Sequence, residues 1–239
     1  MTENAVLDKG LILGYCFFSD PHHERCLEYI DFEETDYFTT RQIEEIYHRK
    51  HQDIIRTHRR AILDHARNVT DGYGGTLHEE DIQEIRAGID RGNTPAWRYL
   101  LDFYRGRTGQ DVYVVTKELR NLARDLEQRA EQRKEVLYAE LQSWLRIDSH
   151  EAVQEQLEPL RQRDEEDFWV CIDAHDIAAN IAGDTELATT DPKDFGAELV
   201  GSDSSHVEIE TMDELILAVT ALSNIEFVFV SRSYEPPHS

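Results

Sequence analysis

Cysteine is scarce in this chain of 239 residues: Cys16, Cys26 and Cys171 are the whole supply. An odd count with no C-x-x-C spacing excludes a disulfide framework and points to ordinary buried thiols in a reducing cytosol. Nothing in the first residues reads as a signal peptide, because the apolar run at 11–18 is short, follows Asp8 and Lys9, and has no cleavage-like end. No run reaches membrane-spanning length. A Ser–His–Asp set, a glycine-rich phosphate loop and a zinc signature are also missing. Lysine is poor as well: of 25 basic residues only Lys9, Lys50, Lys117, Lys134 and Lys193 are lysine, leaving 20 arginines.

Acid is what the chain has in excess. It holds 49 acidic residues, for a net charge of −24. A lysine-poor, acidic composition resembles the proteins of salt-loving archaea. In molar salt the Debye length shrinks to about 3 Å, which screens the self-repulsion. A basic partner is the alternative reading of the same excess.

Hydrophobic periodicity predicts α/β character at the two ends and helix between them. A strand at 5–7 ends on Asp8, and helices follow at 11–18 and from Pro21 to about residue 30. A second strand at 37–39 leads through Thr40 into a long helix carrying Glu44 and Glu45. His51, His58 and His65 recur every seven residues on that helix. Such spacing separates neighbours by about 10 Å, too far for one zinc ion, so they read as histidines beside the apolar stripe. Arg49, Arg56 and Arg60 make the densest basic face, which could meet RNA phosphates or be a salt-bridged surface.

Residues 68–75 break the helix. Helices are expected at 78–92, 95–104 and 111–146, with 151–163 folding back as a helical hairpin. The amphipathic hairpin could also support a homodimer. Expected boundaries are therefore 1–69, an inserted helical subdomain at 70–164, and 165–239.

The last part carries the most chemistry. Asp173 and Asp176 are three apart on a predicted helix, Gly183 follows it, and a short strand at 187–189 leads to Asp191. A strand at 207–211, a helix at 212–222, a terminal edge strand at 225–230 and a frayed tail at 234–239 complete the chain. If the strands lie parallel and adjacent, Asp8, Glu45, Asp173 and Asp191 converge on one C-terminal sheet edge, where ligands bind in α/β folds. Clustered carboxylates without cations repel one another. Hard oxygen ligands without Cys or His select Mg²⁺ or Mn²⁺, which suits phosphodiester hydrolysis.

Three stretches carry a family resemblance: NAVLDKGLILGYCFFSDPHHERCLEYI, YFTTRQIEEI and DAHDIAANIAGDTELATTDPKDF. Together they resemble the PIN-domain nucleases. The resemblance implies a three-layer α/β/α sandwich with a central parallel sheet, and a metal-dependent ribonuclease. It also implies a toxin of a toxin–antitoxin pair, with an antitoxin partner, or an RNA-processing enzyme. Asp8, Glu45, Asp173 and Asp191 match the family's four acids. Glu44 competes with Glu45 and Asp176 with Asp173, while Asp194 stands as an auxiliary carboxylate. Two departures stand out: Gly10 where the family often has Asn or Ser, and the helical insertion. A catalytically weak module binding RNA or protein is the competing reading.

Overall fold

The structure, a computed structural model, describes residues 2–30, 35–190 and 222–230. The chain divides into two compact units. Unit 1 comprises Met1–Ile12, Arg25–His48 and Val136–Ser239; unit 2 comprises Leu13–Glu24 and Arg49–Glu135.

Unit 1 is built on a five-stranded sheet. Its strands are β1 (Asn4–Leu7), β2 (Asp36–Thr40), β3 (Gln142–Trp144), β4 (Thr185–Thr189) and β5 (Ile225–Phe229). They lie in the order β3-β2-β1-β4-β5, and every pairing is parallel. Parallel sheets are covered on both faces, so their strands are apolar throughout rather than alternating. Accordingly Ala5, Val6, Leu7, Leu187 and Ala188 are all solvent-inaccessible. From β1 the chain adds β2 and β3 outward on one side, then returns to place β4 and β5 on the other. The seam between β1 and β4 is therefore the topological switch point, whose C-terminal end opens a crevice.

The helix that precedes β4 is α9 (Glu165–Asn180). Asp164 starts it, accepting hydrogen bonds from the amides of Glu166 and Asp167, and three acids fill its first turn. Both features satisfy the positive helix N-terminus. Phe168, Val170, Cys171, Ile172, Ala174 and Ile177 are all buried, so the helix is interior on most sides. It ends at Asn180, and Gly183 then turns the chain with φ +100°. Two short helices, α7 (Glu151–Gln156) and α8 (Glu158–Arg163), lie between β3 and α9.

The long helices α3 (Arg41–Gly72) and α6 (Val112–Glu140) supply residues to both units, as do the shorter α1 (Lys9–Cys16) and α2 (His23–Tyr29). Unit 2 adds α4 (Glu79–Ala87) and α5 (Trp97–Phe103). Its core joins Ile62, Ala66 and Val69 of α3 to Ile82 and Ile85 of α4, Leu100 of α5, and Val115 and Leu119 of α6. The heptad histidines are interior groups. Nδ1 of His58 lies 2.7 Å from the Ser19 hydroxyl, and Nε2 of His65 lies 2.9 Å from the Tyr104 hydroxyl. Burial lowers both rings to a pKa of about 4.

Two expectations are corrected. The helix read over 111–146 stops at Glu140, and β3 follows. Trp144 keeps the helical spacing of the preceding leucines, yet β2 captures this segment as a parallel edge strand. The inserted subdomain is also not 70–164. Unit 2 draws on 13–24 and 49–135, while 136–164 belongs with the sheet. The terminal strand at 225–230 does lie at a sheet edge, as β5. The strand expected at 207–211, the helix at 212–222 apart from Leu222, and the tail at 234–239 lie outside the described residues. No described helix is long and apolar enough to cross a membrane.

Candidate functional site

Asp8 follows the last residue of β1, and its amide donates to the carbonyl of Ala188, which prolongs the β1–β4 pairing into the crevice. Its side chain is 1% exposed. One carboxylate oxygen accepts from the Lys9 amide at 2.6 Å, and the other accepts from the Thr189 hydroxyl at 2.8 Å. The carboxylate is thus pinned across the switch point from both sides.

The crevice is tight around it. A Cβ on Gly10 would sit 2.3 Å from the Thr190 hydroxyl oxygen. A side chain at position 10 would have to displace the Thr190 hydroxyl, which occupies the space.

Asp173 reaches the same sheet edge from α9. It is buried, and the hydroxyl of Thr40, the last residue of β2, hydrogen-bonds to it. Burial raises its pKa, and the charge and hydrogen bonds of Arg146 offset only part of that rise. Arg146 donates from Nε at 2.7 Å, and its Nη2 lies 2.5 Å from the same oxygen.

A third carboxylate escapes the sequence reading. Asp167, on the first turn of α9, is 1% exposed and accepts from the Lys9 ammonium at 2.7 Å. That ammonium is 4.0 Å from Asp8, so Lys9 bridges Asp8 and Asp167. Cys171 lies in the same field: burial first, then the charges of Asp167 and Asp8, push its thiol well above the usual range. It is an inert buried thiol, and Cys16 and Cys26 are buried as well.

Asp176 is not part of this constellation. It is solvent-inaccessible and ties the segment after β3 onto α9. One oxygen accepts from the Trp144 indole at 2.8 Å and the Ile147 amide at 2.8 Å. The other accepts from the Asp148 amide at 3.0 Å, His150 Nε2 at 2.7 Å and Asn180 Nδ2 at 3.2 Å. Burial alone would raise its pKa, but the donors from Ile147, Trp144, His150 and Asp148 together hold it below the usual carboxylate range. Asp148, His150 and Asp176 have ligand atoms within 4.8 Å of one another, a grouping that could hold a metal ion. Every oxygen of Asp176 is already hydrogen-bonded, so a cation there would have to take the place of the hydrogen bond between Asp176 and His150.

Glu45 is corrected. Its side chain is 61% exposed and pairs with Arg41 of its own helix at 2.9 Å. At about 100° per residue, the buried stripe of Ile43, Ile46 and Tyr47 turns position 45 toward solvent. Glu44, the alternative, is half-buried on the flank of that stripe. Asp191 and Asp194 lie outside the described residues.

The arginine face in unit 2 is paired within itself. Arg56 meets Asp53 at 2.8 Å, Arg60 meets Asp64 at 3.5 Å, and Arg59 meets Glu127 at 3.2 Å. Arg49 is exposed on the same helix. A shallow cavity of about 350 Å³ runs among Arg56, Arg59, Arg60 and Arg67, walled by Asp64 and Glu127. Paired guanidiniums on an acid-lined surface are a poor phosphate track.

The donor set at the sheet edge is all oxygen, which suits a hard divalent cation. The Lys9 ammonium, standing between two buried carboxylates, marks the place as one that takes a positive charge. Asp8, Asp167 and Asp173 are the carboxylates near this edge; among the described residues the grouping whose ligand atoms lie within 4.8 Å of one another is Asp148, His150 and Asp176. No protein-family model matches the sequence, and neither curated proteins nor solved structures match it.

Proposed function

We propose that unit 1 is a metal-dependent endoribonuclease of PIN-like type, hydrolysing RNA phosphodiester bonds at the C-terminal edge of its sheet. The observation that carries this reading is Asp8, buried at the switch point and held by Thr189, with Asp173 brought to the same edge by α9. A bound divalent ion supplies a water of lowered pKa and steadies the charge on the phosphate. The chain's own residues orient the ligands. Thr189 and the Lys9 amide fix Asp8, Thr40 and Arg146 fix Asp173, and Lys9 balances the charge of Asp8 and Asp167 while no other cation is bound. The test is RNA cleavage with Mn²⁺ or Mg²⁺ in high salt, comparing the natural chain with Asp8→Asn. Loss of cleavage in the variant is expected; equal cleavage would sink the assignment.

A second reading has its own observation. Lys9 and Arg146 already neutralise Asp167 and Asp173, as they would in a catalytically weak module that binds RNA or protein. Calorimetry with Mn²⁺ separates the two. No heat of binding, and no rise in melting temperature, would favour the module.

A further inference from the structure

Beside Asp173, the structure gathers two arginines on one indole. The guanidinium carbon of Arg146 lies 4.5 Å from the ring centre of Trp169, and that of Arg161 lies 5.6 Å from the same ring and 5.4 Å from Phe168. Trp169 is half-buried on α9 and forms an edge-to-face pair with Phe168 at 4.8 Å. The three groups come from three elements: the segment after β3, α8 and α9.

We infer that Arg146, Trp169 and Arg161 form the docking surface for a single-stranded RNA segment entering the Asp8–Asp173 edge. The inference takes its ligand from the nuclease reading and adds where and how the strand is held. Unpaired bases stack on aromatic rings and on guanidinium planes, and guanidiniums meet the flanking phosphates. The cluster offers both kinds of contact within one side-chain length of a carboxylate placed for hydrolysis.

The two arginines differ in how firmly they are held. Arg146 is 28% exposed, and Asp173 binds it through two nitrogens. Its backbone neighbours are tied down by Asp176, which holds the Ile147 and Asp148 amides and the Trp144 indole. Asp176 is thus a positioning residue for Arg146. Arg161 is 41% exposed, and its carboxylate neighbours Glu158 and Glu165 stand off at 3.8 and 3.6 Å. Contacts of that length are beyond hydrogen-bonding distance, so a phosphate oxygen can replace them at little cost. On α3 the corresponding pairs are shorter, at 2.8 Å for Arg56–Asp53, 3.5 Å for Arg60–Asp64 and 3.4 Å for Arg67–Asp64.

The test uses the full chain, without divalent metal, and a fluorescein-labelled poly(U) of about twelve nucleotides. Anisotropy gives the affinity, and quenching of indole emission gives the stacking contact. Arg161→Ala should weaken binding roughly tenfold and lower the slope of log K against log salt by about 0.7, the value for one phosphate contact on a single strand. Trp169→Ala should weaken it by a similar factor, from lost stacking, and Trp169→Phe should keep most of the affinity while losing the quench. Melting temperatures screen each variant for folding. Arg161→Ala is the decisive variant, because Arg146→Ala leaves Asp173 buried without its partner. Binding without cleavage in Mn²⁺ would support this docking surface and remove only the hydrolysis reading. Absence of binding, equal binding by folded Arg161→Ala and Trp169→Ala variants, or equal affinity for a duplex of the same length would each overturn it.

Discussion

The ammonium of Lys9 lies 2.7 Å from Asp167 and 4.0 Å from Asp8, so one cation serves two buried carboxylates from different elements. Removing it takes a positive charge from beside two buried carboxylates. Lys9→Met should therefore cost about 3–5 kcal/mol, as breaking a buried ion pair does. Mn²⁺ should then restore part of the loss, because a ligand at 100 times its dissociation constant stabilises by about 2.7 kcal/mol. Thermal melts across a Mn²⁺ series check this. The variant should shift more than the natural chain, and identical shifts would show that the ammonium does not stand in a cation's place.

Asp176 concentrates more hydrogen bonds than any other described carboxylate, and it is the knot of the segment at 144–150. Asp176→Ala would remove the acceptor of the half-buried Trp144 indole and of two amides on exposed residues, and should cost about 1–3 kcal/mol in all. The carboxyl titrates below its ordinary range in the folded state. Its contribution is therefore present above the unfolded pKa near 4 and is lost as pH falls through the lower folded value. Urea melts between about pH 2.5 and 5 should show a steep acid limb in the natural chain and a shallower one in Asp176→Asn.

Three histidines in unit 2 carry proton bookkeeping of the same sign. His23, His58 and His65 each titrate at about 4, chiefly because burial disfavours the charged ring. An unfolded chain binds protons at those rings from about pH 6.5 downward. Folding stability at each should be full above that pH and fall as pH drops through about 4, by up to about 3 kcal/mol per ring. His65, being half-exposed, should contribute less. Hydrogen exchange at pH 7 and pH 4.5 should show α3–α6 amides near Leu100 and Leu119 losing protection first. His58→Gln, which keeps a partner for Ser19, should flatten the dependence.

Gly10 and Thr190 compete for one space. Gly10→Ala would place a methyl 2.3 Å from the Thr190 hydroxyl oxygen but 3.5 Å from its Cβ, an ordinary contact. The single change should cost about 1–3 kcal/mol from overpacking. Adding Thr190→Ala should recover most of it, a coupling that a double-mutant cycle of denaturant melts reads directly. Additive losses would mean that the crevice relaxes elsewhere.

What could be read from sequence was whatever a short local pattern encodes. The run before Asp8 is apolar and brief, and Thr40 opens α3 with its hydroxyl 3.4 Å from the Ile43 amide, so both strand ends were legible. Asp173 followed from its place on an apolar helix. Asp167 was not legible as a site residue, because it sits in the acidic tract at 164–167 and only folding brings Lys9 to it. Trp144 and Arg146 were hidden by the leucine spacing of α6, and nothing local in Gln142–Trp144 favours a strand of three residues. Pairing with β2 decides it. The exposure of Glu45 was legible too, because the helical angle from buried Ile43 and Tyr47 points it outward.

The seam at the centre of the sheet joins residues made far apart in time. Asp8 and Thr189 touch across 181 positions of chain. At 5–20 residues per second on a ribosome, β1 emerges roughly 10–40 seconds before the strand that completes its second edge. Until then a nascent strand carrying Ala5, Val6 and Leu7 stands open on the side that will become the crevice. A chaperone that shields such edges, or early packing of β2 against β1, decides how much of the newly made protein reaches the folded state.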